Sequence, residues 1–210
     1  MTDWSEKARA LTTYLRPLSF PLAASMVERA QDFPERTRRP FKDMGFKTNI
    51  CVAMTLARKY GWTVGMTAED NRCPVASYTY GWSDDEAESE KHLINFMQTM
   101  NYAENEGAAN AIFEAMRGFK LAKGQYEGVV FSPLDRGRIE PDLIMLFCNS
   151  AQLMRLVHGA TQQAGASLVS VFSGRAGTCT EGVLQTMKAN EPKVVLPGNG
   201  DRVWAHGHRR

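Results

Sequence analysis

Residues 128–147 read GVVFSPLDRGRIEPDLIMLF, and this stretch decides the fold class. It holds two apolar runs of strand length, 128–134 and 142–147, separated by charged residues. A short apolar run bounded by turn-forming residues is typical of a β-strand. From Leu143 onward the second run is apolar throughout, which predicts that its strand is buried on both faces.

Working outward, apolar periodicity and capping residues predict helices on both sides of this stretch. The predicted helices cover 4–16, 50–60, two segments within 83–118, 151–164 and 179–188. Further strands are predicted at 20–28, 62–67 and 167–172, with a final hairpin formed by 193–198 and 202–207. The charged stretch 29–47 is predicted to be a long loop. This pattern indicates an α+β fold, with a mixed, mostly antiparallel sheet and helices packed mainly on one face.

The length of 210 residues fits a single domain. A weak internal repeat is visible, because each half has a cysteine followed by a helix, a glycine, a strand, a turn and a second cysteine. This pattern predicts two related lobes, 1–82 and 119–210, joined by the helical segment 83–118.

Charge and hydropathy exclude several classes of protein. Lys and Arg total 25 against 23 for Asp and Glu, so the charge excess of a nucleic-acid-binding protein is missing. The longest strongly apolar run, 143–148, is far too short to span a membrane. The first residues carry mixed charges and no apolar signal core, which predicts a cytoplasmic protein. The sequence is compatible with assembly into a homo-oligomer.

The cysteines are the most distinctive chemical groups. Four in 210 residues are too few for a disulfide-stapled secreted domain, so they are predicted to be thiols. Cys51 begins a predicted helix, Cys73 lies in a turn beside Arg72, and Cys179 follows a glycine-rich turn. Such positions favour the thiolate. The three predict a shared zinc or iron–sulfur site; because no CxxC pair exists, buried thiols without a ligand are the alternative reading.

Two glycine-containing segments predict an anion site. SGRAGTC (173–179) lies between a predicted strand and a predicted helix, where free backbone amides can hold an anion. PGNGDR (197–202) adds a second guanidinium, and guanidinium groups bind carboxylates and phosphates bidentately. The candidate ligand-binding residues are Arg72, Arg175, Gly177 and Arg202. The segments match neither a dinucleotide fingerprint nor a phosphate-binding loop.

Several longer runs are characteristic of one family. They are PLAASMVERAQDFPERTRRP (21–40), CVAMTLARKYGWTVGMTAEDNRCP (51–74), EPDLIMLFCNSAQLMRLVHGATQQAG (140–165), GTC (177–179) and VVLPGNGDR (194–202). In these runs the chain resembles the DUF169 family of uncharacterised prokaryotic proteins. Cys51, Cys73 and Cys179 fall where that family typically places cysteines, and Cys148 matches less clearly. The resemblance implies no particular activity.

Three functional hypotheses follow. The first is a cytoplasmic metal- or iron–sulfur-binding protein with a redox or accessory metabolic role, in which Cys51, Cys73 and Cys179 are the ligands. The second is a module that binds a small anionic molecule without catalysis. The third is a thiol-dependent enzyme, which needs a base such as His158 or His92 near its cysteine. Whether the protein is an enzyme is left open.

Overall fold

The computed structural model describes residues 3–170, 172 and 177–197. It confirms the α+β fold class: helices surround one four-stranded sheet, in which every pair of neighbouring strands is antiparallel. The strands are β1 (Leu22–Val27), β2 (Val64–Thr67), β3 (Gly128–Pro133) and β4 (Leu143–Met145). Their order across the sheet is β2-β3-β1-β4.

The described helices include every predicted one, close to its predicted position, and two short helices outside the predicted set, at 40–44 and 74–79. In chain order the described helices are α1 (Trp4–Tyr14), α2 (Pro40–Met44), α3 (Ile50–Tyr60), α4 (Pro74–Thr79), α5 (Glu86–Thr99), α6 (Glu106–Arg117), α7 (Ser150–Ala164), α8 (Gly177–Thr180) and α9 (Thr186–Ala189). A π-helical turn, Glu181–Gln185, connects α8 to α9, so the predicted helix 179–188 is confirmed as part of a longer irregular one. No described helix is both long and apolar enough to cross a bilayer.

The two apolar runs of residues 128–147 both form strands, but their burial differs. β3 lies between β1 and β2, and all six of its residues are buried. β4 pairs with β1 alone, and Leu143 and Ile144 are only half-buried. The prediction that the second run is buried on both faces is therefore wrong, because Leu143 packs against the main core and Ile144 against the smaller cluster on the other face, and each is covered only in part at this edge of the sheet.

The sheet is covered on both faces. On one face, Leu22, Ala24 and Met26 of β1 join the main core with residues of α3, α4, α5 and α6. On the other, Ala23 packs with Ala8 of α1 and Leu134 in a smaller cluster. The alternation follows from the period of two in a strand. Strands from both predicted lobes share this one sheet, and the division into lobes stays a prediction.

The segment 29–47 is not the structureless loop that the sequence suggests. It contains a 3-10 turn, Ala30–Asp32, and the short helix α2. Its Arg39 bonds through Nε to Asp70 Oδ2 at 2.5 Å, and the Asp70 side chain has no solvent exposure. This tertiary ion pair fixes a stretch whose composition alone indicates a loop.

Two predicted strands are wrong. Residues 167–170 and 172 form no strand, and neither do 193–197. The two segments do contact each other, since Val194 N–H donates to Ser170 Oγ at 2.8 Å and Lys193 Nζ to the Val169 carbonyl at 3.2 Å. These bonds use side chains and so build no backbone ladder. The other half of the predicted hairpin, 202–207, lies outside the described residues.

A charged network ties α4, α5 and α6 together and makes stability depend on pH. Arg117 donates to both carboxylate oxygens of Glu90, through Nε at 3.3 Å and Nη2 at 2.6 Å, and Tyr78 donates to Glu90 at 2.9 Å. The hydrogen bond from Arg117 is the main cause that lowers the pKa of Glu90. Burial, followed by Glu90, raises the pKa of Tyr78 to about 12.

Glu90→Gln is therefore expected to destabilise the protein at neutral pH and much less in acid. A lowered folded-state pKa gives stability that is present above the unfolded pKa, ordinarily 4.5, and is lost as pH falls through the folded value. Urea unfolding from about pH 7 to about pH 3 measures this difference. Glu114→Gln is the control, because Glu114 also pairs with Arg117 but is exposed. Parallel profiles for wild type and Glu90→Gln would contradict the assignment.

Candidate functional site

The starts of α3 and α4 lie side by side. Thr48 N–H donates to the Asp70 carbonyl at 2.8 Å, and Arg72 N–H donates to the Thr48 carbonyl at 3.0 Å. These bonds form a parallel bridge between Thr48 and Asn71. Because α3 begins two residues after Thr48 and α4 three residues after Asn71, the bridge brings together the helix starts that carry Cys51 and Cys73.

Cys73 is the N-cap residue of α4, and Asn71 fixes its backbone. The Asn71 side chain accepts from Cys73 N–H at 3.1 Å and donates to the Cys73 carbonyl and to Ser77 Oγ, both at 2.9 Å. Asn71 is buried, so these bonds also satisfy its amide. Cys73, which the sequence places in a turn, follows the turn at 68–70 and leads directly into α4.

The third cysteine arrives on α8, which packs against both α3 and α4. Tyr80, at the end of α4, donates its hydroxyl to the Cys179 carbonyl at 2.7 Å. Burial, with a smaller contribution from Cys179, raises the Tyr80 pKa well above its ordinary value, so this hydroxyl stays a donor. Gly177 opens α8 with a φ of +74°, a left-handed conformation that glycine adopts without strain. We call this meeting of α3, α4 and α8 the thiol junction.

The thiol junction does not present a finished metal site. All four cysteines carry thiols, and Cys51, Cys73 and Cys179 lie on elements that are neighbours. Among the described residues, however, no group of three or more His, Cys, Asp and Glu side chains is arranged to hold a metal ion. The assignment of the three cysteines as metal ligands stays a prediction.

The anion site predicted from Arg72, Arg175, Gly177 and Arg202 stays a prediction. Arg175 and Arg202 lie outside the described residues. Arg72 is exposed, with Nε at 3.4 Å from Asn49 Oδ1. It lines a cleft of about 490 Å³ that Asp84, Asp85 and Glu88 also line. These carboxylates disfavour an anion in that cleft.

A different arginine, Arg58 near the end of α3, has the features of a binding group. It is only 6% exposed, and its guanidinium stacks on the Phe147 ring at 4.3 Å. Its Nε and Nη2 atoms are buried, and no acceptor for them is found in the described part of the chain. Its carbonyl accepts from Phe20 N–H at 3.0 Å. The adjacent Ser19 hydroxyl is also buried, with no partner among those residues.

Burying this guanidinium is costly. Burial lowers the Arg58 pKa, yet an arginine side chain keeps its charge in proteins. The position near the C-terminal end of α3 favours a cation through the helix dipole, but a dipole supplies no acceptors for the two N–H groups. An unpaired buried charge costs several kcal/mol. An acceptor placed at Nε and Nη2 would recover part of this free energy.

Cys148 follows the ring that covers Arg58. It is half-buried, and burial raises its thiol pKa, so it stays neutral and adds no negative charge beside Phe147. We call Arg58, Ser19 and Phe147 the guanidinium pocket.

Sequence reasoning missed Arg58 because a basic residue in the last turn of a helix is ordinary. One signal was present. Arg58 follows Ile50 and Met54 at intervals of eight and four residues, which places it on the apolar side of α3. A charge within an apolar stripe is the pattern that would have marked it.

The fold and the two sites define an α+β protein with a thiol junction and a buried guanidinium whose Nε and Nη2 have no acceptor among the described residues. A family model, DUF169, described as uncharacterised ArCR, matches residues 10–209. The chain belongs to the DUF169 family. A search of curated proteins returned no match, and neither did a search of solved structures.

Proposed function

We propose that this protein binds a small anionic molecule, and that Arg58 is the residue that receives it. The observation that carries the proposal is the buried guanidinium, whose Nε and Nη2 find no acceptor in the described residues. Proteins rarely bury a charge without a partner. An anion bound there would supply both the opposite charge and the missing acceptors.

Binding requires a local opening. The Nε and Nη2 atoms have no contact with solvent, and the segment containing Ser19 and Phe20 is held to Arg58 by one backbone hydrogen bond. Leu18, in the same segment, is 84% exposed and Phe20 is 37% exposed. Burial of apolar side chains therefore adds little to the stability of this segment in its closed position. The ligand would bind a minor open conformation and shift the population toward it.

A thermal-shift screen of small carboxylates, phosphates and sulfate at fixed ionic strength tests the proposal. At about 100 times its dissociation constant, a ligand adds about 2.7 kcal/mol, which corresponds to roughly 5–10 °C for a domain of this size. Arg58→Met is expected to lose the response. Lys59→Met is the matched control, because it removes an exposed charge one residue away and keeps Arg58.

The outcomes separate clearly. An anion that stabilises wild type and Lys59→Met but not Arg58→Met supports the proposal. An equal response in Arg58→Met places the anion elsewhere, and no response to any anion overturns the proposal. The response is expected to persist when Cys51, Cys73 and Cys179 are all replaced by serine, which distinguishes the guanidinium pocket from the thiol junction.

The second candidate is binding of zinc or an iron–sulfur cluster through Cys51, Cys73 and Cys179. It is favoured by the packing of α8 against both α3 and α4, which makes the cysteine-bearing elements neighbours. A metal would have to draw the thiols into its coordination sphere, since metal binding and local ordering are coupled. Anaerobic purification with iron, zinc and sulfide analysis tests it: stoichiometric metal lost in the triple serine variant supports it, and metal-free protein opposes it.

A thiol-dependent enzyme is the third hypothesis. Selective alkylation of one cysteine near neutral pH would favour it, and uniformly slow labelling would oppose it.

A further inference from the structure

The guanidinium pocket fits a narrower class of ligand than anions in general. The two unpaired atoms, Nε and Nη2, lie on the same edge of the planar guanidinium group. Two parallel N–H bonds from one edge match two oxygens on a single atom, as in a carboxylate. The unpaired edge therefore has the form of a bidentate site.

The same chain shows what this edge binds. Arg117 uses Nε and Nη2 to contact the two carboxylate oxygens of Glu90, at 3.3 Å and 2.6 Å. That pair is partly exposed, with 44% and 26% of the two side chains accessible. Arg58 presents the equivalent edge in a buried setting, and no carboxylate of the described residues occupies it.

Phe147 determines the direction from which the ligand can approach. Its ring covers one face of the Arg58 guanidinium, with 4.3 Å from the guanidinium carbon to the ring centroid. A ligand at the Nε–Nη2 edge would lie in the guanidinium plane. This arrangement suits a flat carboxylate, whose two oxygens lie in one plane with the donors.

The charge balance excludes a strongly charged group. One buried guanidinium neutralises one negative charge, whereas a phosphate dianion would leave a second charge without a partner in a site of low dielectric. Arg136 also reaches this end of α3, since its Nη2 lies 2.8 Å from where a Cβ on Gly61 would be. Its side chain is exposed, so water screens its charge.

We propose that the ligand of the guanidinium pocket is a monoanionic carboxylate group, bound side-on by Nε and Nη2 of Arg58. This inference rests on the proposed function and narrows it. The Ser19 hydroxyl, whose oxygen is buried with no partner in the described residues, is a further donor in the residue before Phe20, whose N–H bonds the Arg58 carbonyl.

The test compares probes of different charge on the full chain. Formate, acetate and propionate are titrated against inorganic phosphate and sulfate near pH 8, with sodium chloride at matched ionic strength as reference. Carboxylates are expected to bind about tenfold or more tightly than phosphate. Arg58→Lys keeps the charge but not the planar fork, so it should lose this preference, while Lys59→Met should retain it.

A second measurement needs no variant. In an NMR spectrum of protein labelled with ¹⁵N at arginine, acetate should shift one Nε–H resonance, and the exchange of that proton with water should slow. Equal or tighter binding of phosphate or sulfate, or a preference retained in Arg58→Lys, would overturn the carboxylate assignment while leaving anion binding in place. Absence of binding by every probe would remove the proposed function as well.

Discussion

Asp70→Ala is expected to lower the free energy of unfolding by about 3–5 kcal/mol, because it removes a fully buried carboxylate that pairs with the largely buried Arg39 side chain. The Asp70 side chain is completely buried and bonds to Arg39 Nε at 2.5 Å. It also accepts from Phe41 N–H at 3.0 Å, from Thr67 N–H at 3.0 Å and from Thr67 Oγ1 at 3.1 Å. Alanine would leave all of these donors without their acceptor, and each buried donor that stays unsatisfied lowers the free energy of unfolding further.

The adjacent residue provides the control for this prediction. Glu69 also lies near Arg39, at 3.7 Å from Nη2, but its side chain is 60% exposed. Glu69→Ala is expected to change stability by less than about 1 kcal/mol. Denaturant unfolding of the three proteins measures both values. A loss in Asp70→Ala no greater than that in Glu69→Ala would show that the buried pair does not hold the 39–48 segment in place.

Arg58→Met is expected to act in the opposite direction and raise the free energy of unfolding of the ligand-free protein by about 1–3 kcal/mol. Replacing a buried ion pair with apolar side chains of similar size is often neutral or stabilising by about 1–4 kcal/mol, and a buried charge without a partner carries a desolvation cost that no ion pair offsets. The substitution forfeits the stacking on Phe147, which is worth about 0.5–2 kcal/mol, and the expected gain allows for that loss. A residue that destabilises the free protein is typical of a site kept for binding.

Urea unfolding without added anions measures this effect, and Lys59→Met should stay within about 0.5 kcal/mol of wild type. Saturating carboxylate is expected to narrow the gap between wild type and Arg58→Met, because only wild type gains from the ligand. A loss of stability in Arg58→Met would mean that the guanidinium already has a stabilising partner, which would count against the guanidinium pocket.

The sequence predicted the elements whose signals are local. The helix 50–60 has Asn49 before it and Gly61 after it, and the structure confirms both boundaries. Residues 128–134 were predicted as a strand from their apolar run and form β3. The strands predicted at 167–172 and 193–198 failed because an apolar run of strand length needs a neighbouring strand to pair with. The order β2-β3-β1-β4 includes neither segment.

The candidate sites show the same difference between features set by local sequence and features set by contacts between distant residues. Charge, composition and helix starts predicted reduced cysteines at the ends of loops, because these properties belong to short stretches of chain. Which elements become neighbours depends on contacts between distant residues, such as the bond from Tyr80 to Cys179. The sequence therefore predicted where each cysteine lies, and the tertiary structure brought their elements together without forming a metal site in the described residues.

The sequence by itself determined that this is an α+β chain with apolar strands at 128–147 and thiols at three helix starts. Only the tertiary structure decided that Arg58 is buried. The helical period places Arg58 on the apolar side of α3, but a period does not say what covers that side. Phe147, whose ring lies under the Arg58 guanidinium carbon, and Phe20, whose N–H bonds the Arg58 carbonyl, reach this end of α3 from distant parts of the sequence. In the resulting fold the Nε and Nη2 atoms of an ordinary helix-end arginine are buried with no acceptor among the described residues.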